Sequence, residues 1–147
     1  MSNMTQKYVQ FQQSVPDRDL FDIGDWPTAF IRFPELNEEN RVSRLLTGLD
    51  CLLSQEEPFV AVWTPPSHDH DDEPHEDEKT AILWIKKHRD RLNHFCQGYV
   101  YVTQDEALRA LLEERLKTVS RKLYQFPMKV VQTRQQASEL AVELLGA

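Results

Sequence analysis

Five apolar residues in a row, Phe59-Val60-Ala61-Val62-Trp63, stand between Pro58 and the pair Pro65-Pro66. A run this short, rich in β-branched and aromatic residues and without polar alternation, reads as a strand covered on both faces. The prolines bound it because they cannot donate to a sheet ladder. A chain with such a strand must supply apolar helices to cover it.

Those helices are written nearby. Asn37 offers an N-cap, Glu38 and Glu39 suit a helix start, and Val42, Leu45, Leu46, Leu49, Leu52 and Leu53 recur at helical spacing. Ala81, Ile82, Ile85, His88, Leu92 and Phe95 mark a second helix that is expected to stop at Gly98, ahead of the strand Tyr99-Val100-Tyr101-Val102. Thr103 and Glu106 form a capping box for a third, with Leu108, Leu111, Leu112, Leu116, Val119 and Leu123 as its buried stripe. Met128 to Val131 supplies a strand, and a Thr133/Gln136 capping box opens a last helix through Ala137, Leu140, Ala141, Leu144 and Leu145. Upstream, Leu20–Ile23 and Thr28–Phe33 flank Gly24-Asp25-Trp26-Pro27 as a hairpin.

The order β-β-α-β-α-β-α-β-α predicts an α/β fold: a single mixed, mostly parallel β-sheet packed with about four helices. With 147 residues and 40% apolar content, one compact domain over 19–147 is expected, after a polar tail or edge strand over 1–18 and with an acidic, His-containing loop at 65–78. No apolar stretch reaches signal-peptide or membrane-span length, so the expectation is a cytoplasmic protein with no membrane span. Cys51 and Cys96 lie in apolar surroundings and read as reduced, buried thiols. The acidic balance argues against nucleic acid as a partner.

Several runs resemble the small bacterial proteins of the STAS and SpoIIAA-like family. They are Trp26-Pro27 before Ile31-Arg32-Phe33-Pro34, the stretch from Ala81 to Gly98 leading into Tyr99–Val102, and Phe126-Pro127-Met128-Lys129-Val130. The resemblance covers roughly residues 19–146. It implies a STAS-like sheet and a non-enzymatic, regulatory domain that binds proteins or senses small ligands. In the anti-sigma-factor antagonists of that superfamily a phosphorylatable serine sits at the start of the helix after the central strand, inside a D-S-S-G-like motif. Here the acidic stretch replaces that motif, Ser67 and Thr80 do not match it, and no phosphosite is carried over.

Between Ser67 and Glu78 lie seven carboxylates, three of the five histidines and no basic residue; the remaining 17 acids balance the 17 Lys and Arg, so the whole net charge of −7 sits here. The loop leaves the end of a strand where open α/β sheets bind ligands, and its field attracts cations or another protein with a basic surface. Asp69, Asp71, Asp72 and Glu73, with Trp63 and Trp84 as aromatic anchors, are the candidate partner-binding residues. A homodimer is left open. As an alternative, His68, His70 and His75 interleaved with carboxylates have donors suited to Zn, Ni or Cu, in a metal-binding or metal-sensing module. A plain solvated charge run, without cofactor, stands beside both. An EF-hand is excluded, because Pro74 stands where its glycine belongs. Catalysis finds no nucleophile elbow or phosphate loop, and His88 and His94 lie about 240° apart on their helix, so no catalytic residue is assigned.

Overall fold

The computed structural model describes residues 16–66, 73–122 and 124–146, and for 118–122 the backbone only. Nine elements follow the expected order: β1 (Phe21–Asp22), β2 (Thr28–Arg32), α1 (Arg41–Ser54), β3 (Phe59–Thr64), α2 (His75–Phe95), β4 (Cys96–Val102), α3 (Glu106–Lys122), β5 (Met128–Val131) and α4 (Arg134–Leu144). The protein is α/β, with one mixed five-stranded sheet in the order β1-β2-β3-β4-β5 and, among the described residues, four helices. β1 runs antiparallel to β2, while β2–β3, β3–β4 and β4–β5 pair in parallel.

Period-two alternation sorts the strand side chains into two cores. Ala29, Ile31, Phe59, Ala61, Trp63 and Tyr99 pack on one face with α1 leucines and Leu92 of α2. Phe30, Val60, Val62 and Val100 pack on the other, against Ala137 and Ala141 of α4. The apolar run of β3 is therefore covered on both sides, and Phe59 to Trp63 are all buried. Gly48 lets α1 close on β1, since a Cβ there would stand 2.1 Å from the Phe21 ring.

Local signals held where nothing competed for them. Thr133 caps α4 with its full capping box to Gln136. The third helix is instead capped by Asp105, whose Oδ1 accepts the Leu108 amide at 3.1 Å, while Thr103 Oγ1 accepts the Asp105 amide. α1 starts at Arg41, later than Asn37 predicts, with Asn40 in the left-handed region at φ 52°. Glu38 is occupied elsewhere: its carboxylate takes both Arg32 Nη1 and Nη2, at 2.6 and 2.9 Å, and the Glu35 amide at 2.6 Å. Gly98 is not a helix stop. α2 ends at Phe95 and Gly98 lies inside β4, where a Cβ would meet Leu144 Cδ1 at 2.7 Å.

The Arg32 hydrogen bond, then the Glu35 amide, hold the Glu38 carboxyl down from 4.5 to about 2. A depressed acid stabilises the fold fully above its unfolded value and loses that contribution as pH falls through the folded value. Glu38→Gln is therefore expected to flatten the loss of stability between about pH 4.5 and pH 2. A carboxyl titration followed by NMR, with a Glu38 midpoint near 2, checks the assignment.

Candidate functional site

The sheet face opposite α4 is incompletely filled. Between the sheet, α3 and the segment ahead of α2 lies a cavity of about 260 Å³. Its floor follows one register row, in which Trp63 of β3 faces Tyr101 of β4, with the two rings stacked at 6.5 Å and 18°. Phe33, just past β2, tilts against Trp63 at 6.4 Å. Met128 and Tyr124 close the β5 side, and Leu108, Leu112, Arg115 and Leu116 form the α3 wall.

The α3 stripe explains itself through this cavity. Leu108, Leu112 and Leu116 recur on one helical face as expected, but among the described leucines of α3 only Leu116 is buried. Leu108 and Leu112 look into a void instead of onto packed atoms. Leu111 points to solvent and leaves the predicted stripe. The Val119 and Leu123 side chains lie outside the described residues.

Phe33, Thr64, Pro65 and Pro66, at the carboxyl ends of β2 and β3, line the cavity, and open α/β sheets place ligands at such ends. Pro65, Pro66 and Glu73 border it, so it touches the residues just before the acidic stretch and one carboxylate within it. Arg41 fixes that carboxylate. All five of its N–H groups are used: Nη1 and Nη2 clamp Glu73 at 3.0 Å each, Nη1 also reaches Asp77 at 3.0 Å, Nη2 bonds the Pro34 carbonyl and Nε the Glu35 carbonyl. The guanidinium also lies over the Phe33 ring, 5.7 Å from its centre. One buried cation thus joins the start of α1, the start of α2 and an aromatic wall of the cavity.

Within this frame the sequence candidates separate. Trp63 is 7% exposed and is a wall of the cavity, and its buried Nε1 has no hydrogen-bond partner among the described residues. An unmet indole donor of this kind costs about 1–3 kcal/mol. Trp84 is elsewhere, in the seam between α1 and α2, where its Nε1 donates to Asp50 Oδ1 at 3.1 Å and its ring lies 4.5 Å from His88. His88 Nε2 stands 3.6 Å from the same carboxylate, as a boundary histidine would. Glu73 is committed to Arg41 and is a structural partner first. His75 is the exposed first residue of α2. His68, Asp69, His70, Asp71 and Asp72 lie outside the described residues. Among the described residues no group of three or more His, Cys, Asp or Glu gathers at metal-binding distance. Nor is any described helix long and apolar enough to cross a membrane.

Burial pushes the Tyr99 and Tyr101 phenols well up, carries Tyr124 to about 12, and lifts the buried Cys96 thiol to about 12. At neutral pH these groups are neutral hydroxyls and a protonated thiol. Of these, Tyr101 and Tyr124 line the cavity.

Sequence reasoning missed Phe33, Tyr101, Leu112, Arg115, Tyr124 and Met128 as one site. The available signal was Trp63 and Tyr101 near the ends of neighbouring strands, with a leucine stripe to cover them. No family model, no curated protein and no solved structure matches the chain.

Proposed function

We propose that this chain is a non-enzymatic regulatory domain of STAS-like type that takes a small apolar ligand in the cavity beneath α3 and meets a protein partner at the acidic rim. The carrying observation is the cavity itself, about 260 Å³ and walled by Phe33, Trp63, Tyr101, Leu112, Leu116 and Met128. That volume lies between the ~150 Å³ that accepts a benzene ring and the ~300 Å³ where drug-sized sites begin, which suits one or two fused rings. The Tyr101 and Tyr124 hydroxyls that line it are neutral near pH 7, which favours binding over proton transfer.

The rim supplies the regulation. Pro66 and Glu73 both touch the cavity, and the acidic stretch to which Glu73 belongs carries the charge that speeds encounter with a basic surface. A ligand that contacts these residues changes how the stretch is presented, which is the differential contact a population shift requires.

Leu112→Trp fills the cavity from the α3 side and is expected to weaken naphthalene binding at least about tenfold while the fold is retained. Calorimetric titration of both proteins measures it. Equal affinities would remove the cavity from the account.

A further inference from the structure

We infer that the ligand of this cavity is a lipophilic carboxylate: one or two rings carrying a single anionic carboxyl group that pairs with Arg115. The inference rests on the proposed binding role of the cavity and adds one charged end to the occupant. Arg115 stands half-buried on the α3 wall with Leu108, Leu112 and Leu116. Its charge is unspent, since no ion pair or hydrogen bond holds the guanidinium among the described residues. The sequence shows why. The positions three and four away from it on the helix are Leu111, Leu112, Thr118 and Val119, whereas Arg109 of the same helix has Glu113 four residues on and pairs with it at 3.0 Å.

The other described charge in the lining is Glu73, and both of its oxygens accept from Arg41 at 3.0 Å. An occupant therefore meets apolar walls, one carboxylate already neutralised and one cation without a described counter-ion. A guanidinium fork takes a carboxylate through two parallel N–H···O bonds. An ammonium ion would face Arg115 as a like charge, and a neutral ring would leave it unpaired. A phosphate monoester carries about 1.5–2 negative charges near pH 7, more than one guanidinium balances in an apolar space. Tyr101 lines the same cavity with a hydroxyl that burial keeps protonated, so it adds a donor and no competing charge. The chain's net charge of −7 opposes an anion at a distance. At about 0.15 M salt that field is screened over about 8 Å, whereas the pair with Arg115 acts at contact.

Calorimetric titration at about 0.15 M salt with three naphthalene probes tests the assignment: 2-naphthylacetate, its neutral isostere 2-naphthylacetamide, and 2-(2-naphthyl)ethylammonium. The acetate is expected to bind tightest to the intact chain. The ratio of acetate to acetamide affinity is the readout, because a general change in the cavity, or in the field of the acidic stretch, acts alike on the chains compared and cancels. Arg115→Gln is expected to lower that ratio about 10-fold or more, the scale of a hydrogen bond to a charged group. Arg115→Lys keeps the charge without the fork and should recover part of it. Arg109→Gln, which removes the arginine paired with Glu113, should leave the ratio unchanged. An acetate no tighter than the acetamide, tightest binding of the ammonium probe, or a ratio that survives Arg115→Gln overturns the carboxylate assignment and leaves the cavity as an apolar site. Failure of all three probes and of naphthalene to bind overturns the binding role of the cavity as well.

Discussion

Arg41→Ala is expected to destabilise the protein by about 3 kcal/mol, the range for breaking one side of a buried ion pair. The Arg41 and Glu73 side chains are only 7% and 10% exposed, so water replaces little of what the guanidinium supplied. Two carbonyls, of Pro34 and Glu35, lose their donor in the same change. Asp77, which is more exposed, recovers part of its loss by solvation, and the expected value sits at the lower end of the range for that reason. Arg41→Lys keeps the charge but not the planar fork that spans Glu73 and Asp77, and recovers only part of the stability. Urea denaturation with an unchanged slope measures both. A loss under about 1 kcal/mol for the alanine variant would show that the clamp is not what fixes the start of α2.

Leu92→Ala is expected to cost about 3 kcal/mol as well, through a cavity. Leu92 is the only described residue of α2 that is fully buried, although the helix has 21 residues. Ile85 and Phe95 are partly buried on the same face, Ile82 lies about 80° round the helix from Leu92, and Leu83 lies opposite; the last two are 44% and 58% exposed. α2 is thus held at its start by Arg41, along its middle by Trp84 on Asp50, and near its end by Leu92. Fifteen residues of helix separate Asp77 from Leu92, roughly 22 Å. Effects at sites so far apart add, so the double variant should lose about 6 kcal/mol. A clearly smaller sum would mean that the first variant had already released the helix.

The fold was largely legible because its signals are local. The run Phe59–Trp63, bounded by prolines, leaves one reading, and Thr133 with Gln136 needs no partner beyond its own turn. Expectations failed where a distant group competed. Glu38 abandons the helix start for Arg32 and the Glu35 amide, and Gly98 is needed where Leu144 of α4 crosses β4. Ile82 fits a generous apolar stripe, but the surface that α2 rests on is narrower than the stripe.

The site was harder to see. Arg41 at the first turn of an amphipathic helix reads as surface, and its burial depends on carboxylates 32 and 36 residues away. A cavity leaves no mark in a sequence, since leucines facing a void and leucines facing packed atoms have the same spacing. The acidic stretch drew attention by composition, yet the informative fact is that Pro66, just before it, and Glu73, within it, both border the cavity.

Diffraction from crystals held under xenon pressure tests the central claim most directly, because xenon enters apolar cavities and leaves polar ones to water. A xenon site among Trp63, Leu112 and Leu116, absent in Leu112→Trp, is the predicted result. A space collapsed onto α3, or filled by ordered water with no xenon, would contradict it.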